Sequence, residues 1–130
     1  MVSKEVKATQ PSLSVSVELM TEHDLLEVVE IEGLSGLSPW GWDAYHKELQ
    51  AGADVIMLVA RVRAGASDPQ DNWALAGFIV SRLIADELHI NNVAIRDEFR
   101  RQGIATRLLD AVLAWGRAKG ARIRTRQRAA

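Results

Sequence analysis

The segment Arg100-Arg101-Gln102-Gly103-Ile104-Ala105-Thr106 concentrates residue types that can hold a phosphate chain. Arginines supply charge-assisted hydrogen bonds. Gly103 and Ala105 are small enough for an anion to approach the backbone closely. Apolar residues recur every three or four positions through Ile104, Leu108, Val112 and Trp115, joined by Leu109 and Leu113, and predict a helix over 103–119. A helix starting here aims unpaired N–H groups and the positive end of its dipole at the same spot. Together these features predict a pyrophosphate cradle; a surface loop leading into a capped helix is the alternative reading. The patterns Gly-x-x-x-x-Gly-Lys-Ser/Thr and Gly-x-Gly-x-x-Gly are both absent, which excludes a Walker loop and a dinucleotide fingerprint.

The elements that must position this segment follow from periodicity. Leu13-Ser14-Val15-Ser16-Val17-Glu18-Leu19 alternates apolar and polar residues, the period of a half-buried strand. Thr21 before Glu22-His23-Asp24 starts a helix, and Leu25, Leu26, Val28, Val29 and Ile31 line its apolar side as far as Gly33. A glycine-rich loop over 33–41 precedes a second short helix over 42–50. Strands follow over 54–62, 73–84 and 87–95, with Gly77 as a candidate bulge and Ala85-Asp86 as a tight turn joining the last two. The order β-α-α-β-β-β-α predicts a mixed α/β (α+β) sheet flanked by helices rather than a doubly wound one. Residues 1–130 read as a single domain, with 1–12 as a loose polar lead-in and 121–130 as a basic tail or strand stub.

Composition narrows the function classes. Hydrophobic residues make up 48% and charged residues 25%, the balance of a globular chain rather than a disordered one. Cysteine is absent, which excludes a disulfide scaffold, a cysteine zinc site and a thiol nucleophile. His23 and His46 lack partners at ligand spacing, so no metal is expected. No apolar run approaches the roughly 20 residues of a membrane helix. The first five residues lack a signal-peptide core, which makes a cytoplasmic location the expectation. The net charge of −1 conceals a polarity: residues 1–95 carry 6 basic and 14 acidic groups, residues 96–130 carry 10 and 3. An anionic partner near the C-terminal quarter fits this gradient. Nucleic acid fits poorly, because Trp115 is the one aromatic within 100–128 and stacking platforms need several exposed rings.

The string Arg100-x-x-Gly103-x-Ala105 resembles the Arg/Gln-x-x-Gly-x-Gly/Ala signature of the GNAT superfamily of acyl-CoA N-acyltransferases. The preceding Leu88-His89-Ile90-Asn91-Asn92-Val93-Ala94-Ile95 is similar to the fourth strand of that fold, and the nearest likeness is to bacterial ribosomal-protein alanine N-acetyltransferases. The resemblance runs from about residue 13 to residue 120. It implies acetyl-CoA as co-substrate and a protein N-terminal amine as acceptor. The backbone of Val93, Ala94 and Ile95 would hydrogen-bond the pantetheine arm, and Arg101, Gln102, Gly103, Ile104, Ala105 and Thr106 would wrap the pyrophosphate. Leu34, Pro39, Trp40 and the neighbourhood of Gly41 would line the acceptor groove; Trp40 and Trp42 equally fit a loop anchored on the core. In one branch of the superfamily the base that deprotonates the acceptor lies four residues before the Val93 position, which is His89 here. Strand alternation would put Glu87, His89, Asn91 and Val93 on one face. His89 then either takes the proton, with Glu87 acting through water, or fills the sheet.

The family also continues with a fifth strand carrying a Glu base in the ribosomal-protein branch, a helix, two more strands and a Tyr acid. Ten residues follow Gly120 here, with neither Glu nor Tyr among them. The alternating Arg122, Arg124, Arg126 and Arg128 fit a buried parallel strand poorly. The expectation is a missing C-terminal β-α-β-β portion, from a shortened or frame-altered sequence or because a partner chain supplies the strand. One cleft wall would then be absent and the fourth strand would be an exposed edge. Weak catalysis by the monomer, a homodimer through that edge, or a catalytically inactive module binding CoA or a partner protein would be the consequence.

Overall fold

The computed structural model describes residues 13–36, 39–64 and 73–123. Five strands form one sheet in the order β1-β2-β3-β4-β5. They are β1 (Leu13–Leu19), β2 (Val55–Ala64), β3 (Ala74–Ile84), β4 (Glu87–Ile95) and β5 (Arg122–Ile123). Neighbours are antiparallel from β1 to β4, whereas β5 runs parallel to β4. Three helices complete the order: α1 (Leu25–Leu34), α2 (Trp42–Leu49) and α3 (Ile104–Ala118). No described helix is long and apolar enough to cross a membrane.

The sheet is covered on both faces. Leu25, Val28 and Ile31 of α1 and Tyr45 of α2 pack with Met57, Val59, Phe78, Val80 and Ala94. On the other face Ile104, Leu108 and Val112 of α3 pack with Leu58, Ala60, Ile79, Leu88 and Ile95. The 3-4 spacing of each helix's apolar residues produces these stripes, and the alternation along β2 and β3 feeds both cores. At the start of the first helical stretch, Asp24 reaches back to accept a hydrogen bond from Thr21 N at 2.9 Å. Its other oxygen accepts from Arg61 Nη2 at 2.6 Å, and Arg61 Nε donates to Glu18 at 2.9 Å. The Arg61 guanidinium holds the Glu18 carboxyl below its usual range, helped by the Ser16 hydroxyl.

Two bulges shape the sheet. Ala60 pairs with Gly77 and Arg61 with Leu75, so Ala76 is the extra residue, one position from the glycine expected to mark it. Gly77 is required by proximity: a Cβ there would sit 2.5 Å from Ile95 Cδ1 and 2.6 Å from the Ala94 carbonyl oxygen. The second bulge lies in β4. Val80 pairs with Asn92 and Ser81 with Ile90, which leaves Asn91 unpaired.

Of the two readings of the segment after Gly120, basic tail or strand stub, its first part takes the second as β5. Arg122 and Ile123 pair in parallel with Glu87 and Leu88 and cover the beginning of β4. Ile123 packs into the α3-side core, while Arg122 is exposed at the edge. Residues 124–130, which carry the rest of the arginine alternation, and residues 1–12 lie outside the described residues.

Candidate active site

Between β4 and α3 the chain makes a short 3-10 turn, Asp97–Phe99, and then enters two left-handed residues. Arg101 has φ +65° and Gly103 φ +80°. Gly103 caps α3, and its side-chain position faces open space, with nothing within 4 Å of a Cβ placed there. The requirement for glycine is therefore conformational, since a left-handed backbone costs other residues roughly 1–2 kcal/mol. Arg101 accepts that cost in a turn where strain commonly marks function. No side chain caps the first turn of α3. The first amides of α3 lack intrahelical acceptors, and Ala105 and Thr106 are exposed there.

The side chains of the predicted cradle divide. Ile104 is 1% exposed and belongs to the core, so only its backbone faces the turn. Arg100 stays exposed but folds back on the end of β4: its Nε donates to the Ile95 carbonyl at 3.1 Å and its Nη1 lies 3.2 Å from Asp97. Gln102 Nε2 reaches the Glu98 carbonyl at 3.5 Å. Arg101 is exposed beside the helix start.

The outer edge of β4 also departs from expectation. Arg96 N donates to the Ala76 carbonyl at 2.8 Å, so alternation turns the backbone groups of Ala94 toward β3 and those of Val93 and Ile95 outward. The Ala94 carbonyl accordingly faces Gly77. Of the three residues expected to offer backbone bonds at this edge, Val93 and Ile95 turn theirs outward and Ala94 turns its own toward β3. The Ile95 carbonyl already accepts from Arg100.

The bulge at Asn91 corrects the expectation that Glu87, His89, Asn91 and Val93 share a face. Leu88 and Ile90 pack on the α3 side, whereas Asn92 and Ala94 face α1 and α2. One extra residue reverses the alternation, so Glu87 and His89 face α1 and α2 while Val93 faces α3. His89 lies opposite Arg82, whose guanidinium makes a bidentate pair with Glu48 of α2 at 2.8 and 3.1 Å. His89 Nε2 lies 3.4 Å from Glu87 Oε1, and Arg122 approaches Glu87 at 3.7 Å.

On that same face is a buried network that the sequence reading did not find. Glu32, 1% exposed, accepts from Trp40 N at 2.9 Å, Gly41 N at 3.3 Å and the Tyr45 hydroxyl at 2.6 Å. Tyr45 accepts in turn from Asn92 Nδ2 at 2.9 Å. Burial and the adjacent Glu32 carboxylate push the Tyr45 phenol well above the ordinary tyrosine range, so its proton stays on oxygen. Trp40 stacks on Tyr45 with centroids 5.0 Å apart. Pro39 is exposed just before it. Trp42 instead stacks on His46, and His46 Nε2 lies 3.0 Å from Glu22.

A profile described as the acetyltransferase (GNAT) family matches residues 26–129. The chain belongs to the GNAT acetyltransferase family. A Bacillus subtilis protein assigned as a ribosomal protein bS18-alanine N-acetyltransferase is 29% identical over 107 residues, which is 82% of this chain and 65% of that protein. The ribosomal-protein-S18-alanine N-acetyltransferase of Escherichia coli superposes with a TM-score of 0.64 at 18% identity, over 83% of this chain and 63% of that one. The aminoglycoside N-acetyltransferase AAC(6')-Iy, solved with CoA, gives a TM-score of 0.66 at 19% identity, over 91% and 79% of the two chains. The chain thus spans just under two thirds of the two ribosomal-protein enzymes it resembles.

In this GNAT chain a cleft of about 90 Å³ separates the end of α1 from the turn after β4, with Ile31, Leu34 and Ser35 on one wall and Ile95, Arg96 and Glu98 on the other. Leu34, 71% exposed, stands at its rim, on the side expected for the acceptor. Arg96 ties the walls together: Nε donates to the Leu75 carbonyl at 3.0 Å, and Nη2 meets Glu30 at 3.0 Å and Glu27 at 3.3 Å. A signal for Glu32 was present in the sequence. Leu25, Val28 and Glu32 follow the 3-4 spacing of a buried stripe, and an acid on such a stripe needs donors.

Proposed function

We propose that this chain acts as an acetyl-CoA-dependent N-acetyltransferase on a protein N-terminal amine such as that of a ribosomal protein. One observation carries the reading: β4, whose Val93 and Ile95 turn their backbone groups outward, leads through left-handed Arg101 and Gly103 into an exposed start of α3 that has no side-chain cap. The helix start fits a pyrophosphate, because its amides and dipole favour anions, and Arg101 adds a charge beside it. Acetyl-CoA would supply an acetyl thioester. The acceptor side lies across the sheet, under Trp40, Pro39 and Leu34. An ammonium must lose a proton before its nitrogen can form the C–N bond that replaces the C–S bond. His89, beside Glu87, is the candidate to take it. Tyr45 is not an acid for the leaving thiolate, since its proton is committed to Glu32.

The acceptor class rests on the Bacillus relative. The fold does not discriminate, because an aminoglycoside enzyme superposes as closely as a ribosomal-protein enzyme. A second reading is a module that binds CoA without turnover. It is favoured by β5, which among the described residues contributes Arg122 and Ile123 and neither a carboxylate nor a tyrosine.

Calorimetric titration of the chain with acetyl-CoA, with CoA alongside, tests the shared part of both readings. Saturable binding that disappears in Gly103→Trp is expected; no binding at millimolar ligand overturns both. Mass spectrometry of an alanine-initiated peptide and of an aminoglycoside after incubation then separates them. Acetylation of the peptide supports the proposal, and binding without transfer supports the second reading.

A further inference from the structure

We infer that Tyr45 is a positioning residue for the acceptor, because it joins the Trp40–Gly41 loop to the bulged part of β4 through one continuous hydrogen-bond chain. The inference rests on the acetyltransfer reading and adds to it how the acceptor side is held against β4.

The chain has a single internally consistent polarity. Tyr45 has one hydroxyl proton, and it goes to the Glu32 carboxylate at 2.6 Å. The phenol oxygen can therefore only accept from its next partner, so the amide nitrogen of Asn92 must face it, as observed at 2.9 Å. At the other end Glu32 can only accept, and it takes the consecutive amides of Trp40 and Gly41. Trp40 is thereby held twice, by its backbone through Glu32 and by its ring on the Tyr45 ring. Asn92 is the residue immediately after the bulge, where β4 changes face. A displacement of β4 at this point is transmitted through three side chains, Asn92, Tyr45 and Glu32, to the loop.

Stability alone does not require this arrangement. Apolar replacements of buried polar groups are often as stable as the originals, and Phe78 already packs edge-on against Tyr45 at 5.8 Å. What the polar chain adds is a fixed relative position between two segments that are far apart in sequence.

Two variants test this without collapsing the core. Tyr45→Phe keeps the ring stacked between Trp40 and Phe78 and removes only the hydroxyl. Asn92→Ala cuts the chain at β4 and leaves the Glu32 contacts to the loop intact. Hydrogen exchange at the Trp40 and Gly41 amides needs no activity. Asn92→Ala is expected to speed it by about tenfold, in keeping with loss of one buried hydrogen bond, although Asn92 touches neither amide. Initial rates with an alanine-initiated peptide should show the peptide KM rising about tenfold in either variant, the acetyl-CoA KM unchanged, and the double variant no worse than the singles. Unchanged exchange at Trp40 and Gly41 in Asn92→Ala overturns the inference. So does an equal rise in both KM values, or a fall in melting temperature with no KM split. A wild-type chain that transfers no acetyl group to the peptide refutes the acetyltransfer reading, and the exchange measurement then decides the coupling alone.

Discussion

At the start of α3 the candidate cradle is backbone and open space: two left-handed residues, a helix start with no side-chain cap, and exposed arginines on either side. Beneath Trp40, across the sheet, the surface is held by side chains, with Glu32, Tyr45 and Asn92 drawn from α1, α2 and β4. The first region is assembled within seven consecutive residues, Arg100 to Thr106. The second spans sixty positions, from Glu32 to Asn92, and exists only once the sheet and helices have packed. A backbone site of the first kind contributes little to the core and can be altered at small cost. A buried polar network of the second kind is costly to cut, because each lost partner strands another group away from water.

Gly77→Ala should remove the contrast, because it strikes the β3–β4 contact on which both regions depend. Its Cβ meets a backbone oxygen that has no room to retreat. A loss of about 3 kcal/mol is expected from overpacking of this kind, read by urea denaturation, together with weaker acetyl-CoA binding. Glu32→Gln should sharpen it. The amide places donors against the Trp40 and Gly41 N–H groups, and about 2 kcal/mol should be lost, with acetyl-CoA affinity little changed in calorimetry. Gly103→Ala reverses the pattern: about 1 kcal/mol from the left-handed backbone, but a clear loss of acetyl-CoA affinity. Arg101→Gly has the smallest expected effect on stability, within about 0.5 kcal/mol, since relief of the left-handed strain offsets the added freedom of the unfolded chain. Its acetyl-CoA affinity should still fall.

Alkaline pH isolates the buried network in another way. The phenol of Tyr45, the chain's one tyrosine, ionises later when folded than when unfolded. Its contribution to stability is therefore complete below the ordinary tyrosine value of about 10 and is lost as pH rises above it. Wild type should lose stability over that range faster than Tyr45→Phe, as followed by thermal melts. Ultraviolet absorbance should show the phenolate appearing late in the native chain. Equal pH dependence in the two proteins would remove the argument that Tyr45 is held protonated by burial and Glu32.

Much of the architecture was legible in local patterns. The strands 13–19 and 87–95 coincide with β1 and β4, and the helix expected over 103–119 forms as Ile104–Ala118. The Arg-Gly-Ala spacing located the turn now seen before α3. The face of His89 was misjudged because alternation was carried through Asn91, where pairing with β3 inserts a bulge. Ala94 was misassigned for a related reason: strand identity does not say which way a given carbonyl turns. Nothing local marks Tyr45, because 47 positions separate it from Asn92, whose amide its hydroxyl meets.

By itself the amino-acid sequence determined where helices and strands begin, and it placed glycine and arginines where an anion could meet a helix start. Those properties depend on neighbours a few positions apart, so a local pattern carries them. Only the tertiary structure decided which face His89 and Val93 occupy, which backbone groups of β4 turn outward, and that Glu32, Tyr45 and Asn92 form one chain. Such properties arise from pairing and burial between distant segments, where the need to satisfy a buried carboxylate selects its partners through space rather than along the sequence.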